Sequence, residues 1–476
     1  MLQHALLNIL PGSDTKSRTT FCRKRHFLVR LFVEACIFLW DFCYLSIMKR
    51  DAENTISQWV NKKNRKPLVL LGPRQVGKTW LMKRAGADHF SSTVYINFER
   101  NKSLAGIFDA DFDPNRIIKT LETATGSSVV LGKTLVIFDE IQEAPMGITA
   151  LKYFCEEVPE LHIIAAGSLL GVGTKARASF PVGKVELLYI HPLSFREFLT
   201  ACGQGALAGH IANRQWEVIS VFHERLIEYL RYYYIVGGMP EVVNAYLTTN
   251  DFEAVRRIQE QILMAYERDF SKHAPSDVVP RILQVWQGIL PQLAKENKKF
   301  VYGLIRSGAR AAQYEAAIAW LLNYGLFNRV ERTTKIEQPM MAFADPKAFK
   351  LYLHDVGLLS AMAQIRPEVI VDGDALFKQF KGALTEQYAV QQYLAYGYHQ
   401  PMYWENPSGQ AEVDFIFEGR SGIIPLEVKA SDNLQSKSLK VFHTKHAGLH
   451  CFRASLTPFR DEGWMTNVPL YALPVG

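Results

Sequence analysis

The stretch Pro67-Leu68-Val69-Leu70-Leu71-Gly72-Pro73-Arg74-Gln75-Val76-Gly77-Lys78-Thr79-Trp80-Leu81-Met82-Lys83-Arg84 decides the reading of this chain. Its first five residues form a short continuous apolar run, the pattern of a strand buried on both faces in a parallel sheet. Gly72 to Thr79 fit G-x-x-x-x-G-K-[ST], and the residues after them read as a helix. Strand, glycine-bearing loop and helix N-terminus form the context that this motif needs. The glycines let the backbone wrap an anion with several N–H groups pointing inward, and the helix start adds partial positive charge. Gly72, Pro73, Arg74, Gln75, Val76, Gly77, Lys78 and Thr79 are therefore predicted to bind ATP. Lys78 is expected at the β- and γ-phosphates, with the Thr79 hydroxyl on Mg2+.

The partner of this loop lies further along the chain. Leu135-Val136-Ile137-Phe138 is a second apolar strand, and it ends in Asp139-Glu140. Asp139 is expected to hold the magnesium, commonly through water, and Glu140 to orient and polarise the attacking water. A protein that only binds nucleotide has little use for the second carboxylate, so ATP hydrolysis is predicted. Ser168, after the apolar run Ile163–Ala166, is placed like a polar sensor beside the γ-phosphate. No arginine that would stabilise transition-state charge can be identified. Arg177 and Arg74 are the candidates, and a surface role is the default for both.

The other strand patterns are Val94–Phe98, Ile163–Ala166 and Val185–Ile190, with helical stretches between them. This alternation predicts an α/β domain with a mostly parallel sheet. After Pro192 the character changes. Residues 195–270 read as largely helical, and Tyr232, Tyr233 and Tyr234 are expected to supply core or interface packing. Residues 280–365 hold several short helices. Gln313 to Leu326 forms a helix with a stop, followed by the strand-like Phe327–Val330, an order that resembles a winged helix. From about Asp372 a long helix precedes strands near 402–404, 412–417 and 423–430.

The 476 residues suffice for two to four domains at roughly 100–200 residues each. A hydrophobic content of 48% excludes global disorder. The formal charge of +7 permits a nucleic-acid partner without demanding one. Six cysteines without a CxxC pair, and 13 histidines without HExxH, indicate neither a zinc site nor a disulfide framework. A cytoplasmic location is expected. The apolar segment from His26 to Met48 carries Arg30, Glu34 and Asp41, and each charge costs about 3 kcal/mol at a membrane centre. No integral membrane insertion is expected. Residues 1–47 read as an upstream extension before a start at Met48, with an amphipathic surface helix or a targeting segment as alternatives.

Together these residues resemble a group of bacterial and archaeal AAA-type P-loop ATPases with a C-terminal PD-(D/E)XK nuclease-like domain of unassigned function. The resemblance runs from about Met48 to the C-terminus. It rests on Gly72–Thr79, Phe138–Gln142, Ala166–Ser168, Pro192–Phe198, Gly237–Pro240, Leu353–Gly357 and Pro425–Lys429. It implies an ATPase core over 48–200, a helical segment over 201–275, a winged-helix-like region over 276–370 and a nuclease-like α/β domain over 371–476. Family members often carry Gly-Arg where this chain has Gly183-Lys184, and lysine lacks the planar fork of arginine.

The C-terminal strands can also be read on their own terms. In Glu412-Val413-Asp414-Phe415 the two carboxylates share a face, as do Glu427 and Lys429 in Leu426-Glu427-Val428-Lys429. Gly419-Arg420-Ser421-Gly422 suits a hairpin turn. A regular hairpin about Arg420-Ser421 sets Asp414 opposite Glu427 and Glu412 opposite Lys429. Adjacent carboxylates repel unless a cation lies between them, and magnesium suits oxygen ligands. Asp414 and Glu427 are thus candidate metal ligands and catalytic residues, Lys429 a candidate to activate water, and Glu386 a further ligand from the preceding helix. The plain alternative is a solvated, charged strand face with Glu412–Lys429 as a cross-strand pair.

Lys298, Lys299, Arg306, Arg310 and Arg332 put positive charge around the winged-helix-like region, where they could meet DNA phosphates or be ordinary surface charges. The expected function is a magnesium-dependent ATPase coupled to a nuclease-like tail that binds or cleaves DNA. The alternative is a nucleotide-switched protein-interaction module with an inactive nuclease fold. DNA, other proteins and self-association are the partner classes considered beside ATP.

Overall fold

The computed structural model describes residues 48–167, 180–372, 378–419, 422–430 and 435–475. The chain divides into two units, the second beginning at Lys49, and the description below concerns that second unit. Residues 1–47, Ser168 and Arg177 lie outside the described residues.

The N-terminal part runs α1 (Asp51–Val60), β1 (Leu68–Leu71), α2 (Lys78–His89), β2 (Ser92–Asn97), α3 (Pro114–Thr125), β3 (Thr134–Asp139), α4 (Pro145–Glu157), β4 (His162–Ala166) and β5 (Glu186–Tyr189). The expected strands are all present. They form one sheet in the order β2-β3-β4-β1-β5, parallel throughout. Every residue of β1 is buried, as its unbroken apolar run requires. Because the strands are parallel, the ends of β1 and β3 open on the same edge of the sheet, where such folds bind their ligands. β4 lies between them. Local signals set the helices. Asp113 caps α3 by accepting from Asn115 N at 2.9 Å, Pro114 occupies the first turn, and Gly126 ends the helix in left-handed backbone. Phe98, Phe108 and Phe138 pack with centroids 5.6–5.8 Å apart beneath β3.

The chain continues through α5 (Phe195–Ala201), α6 (His223–Val236), α7 (Pro240–Thr249), α8 (Phe252–His273), α9 (Val279–Gln287) and α10 (Ala311–Asn323). Then come β6 (Phe327–Thr333), β7 (Ala344–Leu353), α11 (Val356–Met362), α12 (Lys378–Ala395), β8 (Met402–Glu405), β9 (Glu412–Gly419), β10 (Gly422–Val428), α13 (Lys437–Lys445), β11 (Cys451–Ser455), β12 (Arg460–Asp461) and β13 (Met465–Pro469). Tyr233 and Tyr234 are buried, as expected of packing residues. α10 leads into the β6–β7 hairpin in the order the sequence predicts.

That hairpin is not a free wing. β6 pairs in parallel with β8, Glu331 opposite Met402, so one eight-stranded sheet runs β12-β13-β11-β10-β9-β8-β6-β7. It crosses the boundary expected at residue 370. The physical reason is burial: Met402, Tyr403 and Trp404 are all buried, so β8 needs neighbours on both sides. β9 supplies one and β6 the other.

Three of the quoted motifs meet at one node. Asp355 caps α11 through Leu358 N at 2.9 Å and also accepts from Gly238 N at 2.7 Å. Leu193 N donates to Gly238 O at 2.7 Å. Gly237 has φ +74°, and a Cβ there would stand 2.2 Å from Asp355 Oδ1. α12 joins the node through Gln391, whose amide donates to Asp355 Oδ2 at 3.1 Å.

Candidate functional site

The predicted phosphate loop spans the end of β1 and the start of α2. Gly77, with φ +92°, caps α2, and Gly72 has φ +147°. A Cβ on Gly72 would lie 2.3 Å from Ile190 O, so the loop enters against the end of β5. Lys78 Nζ donates to the carbonyls of Gly72 at 2.8 Å and Pro73 at 2.7 Å. Burial pushes the Lys78 ammonium down to about 8, against the attraction of Glu140 and Asp139.

Asp139 stands beside Thr79, as the sequence predicts. The Thr79 hydroxyl donates to Asp139 Oδ2 at 2.9 Å, and Tyr95 OH donates to the same oxygen at 2.7 Å. Burial and the Asp139 charge hold the Tyr95 hydroxyl well above its ordinary value, so it stays a donor. Glu140 adopts left-handed backbone (φ +53°) and accepts from Gln142 Nε2. A hydroxyl and a carboxylate oxygen within hydrogen-bond distance are hard oxygen donors of the kind that magnesium takes. The residues present fit a magnesium ion there.

Arg74 points away from the loop. Its Nη1 donates to both oxygens of Asp269 on α8, at 2.8 and 2.9 Å, and Nη2 lies 3.3 Å from His273 Nε2. Tyr266 OH donates to Arg74 O at 2.9 Å, and Tyr324 OH reaches Asp269 Oδ2 at 3.1 Å. Tyr266, Asp269 and His273 recur at helical spacing, so one face of α8 grips the loop. Arg50 grips it from the other side: it bonds Glu197 at 3.1 Å, Val76 O at 3.0 Å and His191 O at 2.7 Å. Sequence reasoning missed Tyr95, Gln142, Arg50, Asp269 and Tyr266. Tyr95 lies on a strand next to β3, an adjacency that only the structure gives, and the place of Gln142 in the quoted Phe138–Gln142 motif is the one signal the sequence held. Lys184, at the position where members of the resembling family often carry arginine, pairs with Glu156 at 2.8 Å.

The C-terminal constellation departs from expectation. The β9–β10 register is the predicted one from Gly422 opposite Gly419 to Leu426 opposite Phe415. There the ladder ends, and Asp414 Oδ2 accepts from Val428 N at 2.8 Å. Glu412 does not pair with Lys429. It pairs with Lys350 of β7, while Lys429 pairs with Glu427 at 2.8 Å. Glu386 is not a free ligand: Lys298 Nζ donates to its Oε1 at 2.6 Å and Tyr352 OH to its Oε2 at 2.7 Å. Lys298 is thus a buried ion-pair partner and not a surface contact for DNA, and Arg332 is held by Asp345 and Glu405. Arg306 and Arg310 are exposed.

Burial raises the Glu386 carboxyl but Lys298 and Lys350 outweigh it and hold it below its ordinary value. Burial, Glu386 and Glu427 push Asp414 up to about 7. Glu427 Oε2 is buried without a hydrogen-bond partner among the described residues. Among those residues no three His, Cys, Asp or Glu side chains are grouped to hold a metal ion. The set Glu386, Asp414 and Glu427 does not fit a three-carboxylate metal centre as it stands, because Lys298 and Tyr352 engage both oxygens of Glu386 and Lys429 engages one of Glu427.

One family model agrees with the N-terminal geometry. Residues 64–199 match an AAA domain model. This region is an AAA-type P-loop ATPase domain. Residues 227–369 match a domain of unknown function (DUF8612), and residues 381–472 another (DUF4143). No curated protein matches the chain. Among solved structures, the Walker-type ATPase paby2304 of Pyrococcus abyssi is 16% identical, with 67% of this chain and 96% of that one covered and a TM-score of 0.43. The Aeropyrum pernix Orc1 protein in complex with DNA is 12% identical, with 68% and 92% covered and a TM-score of 0.26. No helix among the described residues is long and apolar enough to cross a membrane.

Proposed function

We propose that the protein hydrolyses ATP at the Gly72–Thr79 loop and that the nucleotide acts on the rest of the chain through α8. The observation that carries this reading is the cluster of Lys78, Thr79, Asp139 and Glu140 on one sheet edge, with Thr79 Oγ1 2.9 Å from Asp139 Oδ2. Thr79 and Asp139 would hold a magnesium ion. The ion would neutralise charge between the β- and γ-phosphates. Lys78 would exchange the carbonyls of Gly72 and Pro73 for phosphate oxygens. Glu140 would accept a proton from the attacking water, with Gln142 fixing its carboxylate. The departure of Lys78 leaves the loop carbonyls beside Arg74 uncompensated, and Arg74 ties that loop to α8.

For the part beyond residue 371, the buried pairs Lys298–Glu386 and Lys350–Glu412 favour a nucleotide-switched interaction module with an inactive nuclease-like fold. The competing reading is metal-dependent cleavage of DNA. It has in its favour the placement of Asp414, Glu427 and Lys429 on adjacent strands.

The first experiment compares ATP binding and turnover in the parent, Lys78→Ala and Glu140→Gln. Glu140→Gln is expected to bind ATP and lose turnover by about 10²–10⁴-fold, and Lys78→Ala to lose both. Turnover of Glu140→Gln at the parent rate would refute the assignment of the base. DNA cleavage by the parent that disappears in Asp414→Ala and Lys429→Ala would establish the competing reading for the C-terminal part.

A further inference from the structure

The carboxylates of the C-terminal cluster and two of its three ammoniums come from different stretches of the chain; the third, Lys429, lies beside Glu427 on the same stretch. Glu386, Glu412, Asp414 and Glu427 lie on α12, β9 and β10, within residues 381–472. Lys298 precedes α10 and Lys350 lies on β7, both within residues 227–369. Lys350 is 1% exposed and Lys298 8%. A lysine buried to that degree is rare unless an acid meets it. Lys298 Nζ stands 2.6 Å from Glu386 Oε1, and Lys350 pairs with Glu412 while its ammonium lies 4.8 Å from the centre of the Tyr403 ring. Asp414 interacts electrostatically with both Lys350 and Glu386. A third link of the same kind joins Arg332 to Glu405 at 3.3 Å.

We infer that Lys298 and Lys350 are the resident cations of this carboxylate cluster: they take the place of a divalent metal and fasten the middle region to the C-terminal sheet. Adjacent buried carboxylates need a positive charge between them or must keep a proton. A metal supplies that charge in a metal centre, and here two lysines of a neighbouring sequence segment do so for Glu386 and Glu412, with Lys429 beside Glu427. Glu386 has both oxygens engaged, so an added ion that took Glu386 as a ligand would first have to displace Lys298 or Tyr352. Removing the lysines strands buried carboxylates. It also vacates the place that a cation can fill. The cluster then becomes a metal site, and the fold comes to depend on the metal. This inference stands apart from the ATPase reading. It also bears on metal binding and not on cleavage, so a protein that cleaves no DNA could still fail it.

The test uses the full chain carrying Asp139→Ala, which removes the carboxylate expected to hold a cation in the ATP site, and Mn2+ alone as the probe. In that background calorimetry is expected to detect no stoichiometric Mn2+. Adding Lys298→Met and Lys350→Met is expected to tighten Mn2+ binding at least about ten-fold and to make the melting temperature rise with Mn2+. Adding Asp414→Asn should cancel both gains. The inference is overturned by stoichiometric Mn2+ in the lysine-bearing background that Asp414→Asn removes, or by a folded double-lysine variant that gains none. If the double variant does not fold, melting of the lysine-bearing chain decides. Equal midpoints in Mn2+ and in chelator support the inference, and a Mn2+-dependent rise lost in Asp414→Asn overturns it.

Discussion

Arg74, in the middle of the phosphate loop, donates to both oxygens of Asp269 on α8 at 2.8 and 2.9 Å. The loop that should meet the nucleotide is therefore held by the helical region. Asp269→Ala removes this pair and is expected to cost about 1–3 kcal/mol of stability, because both side chains are mostly buried. If α8 transmits the nucleotide state, kcat in Asp269→Ala should change by about ten-fold while ATP affinity stays within about three-fold, as expected for a group that does not touch the ligand. Parallel turnover and binding measurements check this. Equal losses in both would place Asp269 in nucleotide binding instead.

Lys78 gives a pH dependence. In the nucleotide-free protein burial holds its ammonium down to about 8. Phosphates favour the charged form, so the bound state keeps its proton to higher pH. ATP affinity should then be level below pH 8 and fall above it, by about ten-fold per pH unit. Equilibrium dialysis between pH 7 and 9.5 measures this, and a level affinity throughout would mean that Lys78 does not meet the phosphates.

Gly237 is predicted to be intolerant of any side chain. Its φ of +74° disfavours L residues, and a Cβ would collide with Asp355 Oδ1 at 2.2 Å. Gly237→Ala should cost at least about 3 kcal/mol, through strain and a displaced buried carboxylate. Gly126 has φ +68° but open space around it, so Gly126→Ala should cost only about 1 kcal/mol. Denaturant melts of the two variants separate collision from backbone strain.

His354 should make the fold sensitive to acid. It is 4% exposed, and burial holds its imidazole down to about 4, against an ordinary 6.5. The unfolded chain takes up a proton as pH falls through 6.5, while the folded chain resists until about 4. The contribution is therefore complete above pH 6.5 and is lost on acidification through that window, at roughly 1.4 kcal/mol per pH unit. His354→Gln should have a shallower stability profile there by about that slope, as read from chemical melts at each pH.

The parts of this architecture that could be read from the sequence are the parts fixed by near neighbours. β1 and its loop follow from contiguous residues, and the β9–β10 register follows from the Gly419–Gly422 turn between the strands. β3 and its acidic end could be read because an apolar run ending in Asp139-Glu140 is itself a local pattern. The clamps could not be. Arg74 and Asp269 are 195 residues apart, and Lys298 and Glu386 are 88 apart. In the sequence Lys298 looks like any surface lysine. Its burial arises when the segment before α10 closes over α12, a tertiary event with no periodic signature. The Glu412–Lys429 pair of the plain alternative is replaced for the same reason. The strand alternation put Glu412 on the right face, but the lysine that meets it comes from β7.

The parallel pairing of β6 with β8 has a consequence for how this chain can be divided. A polypeptide beginning at residue 371 would carry β8 without β6, and its row of N–H and C=O groups would face solvent as a template for self-association. The mirror-image fragment would leave Lys298 and Lys350 without their acids. The two sequence segments are therefore physically one piece. A recombination event that exchanged either alone would have to bring a matching strand edge and a matching set of charges with it.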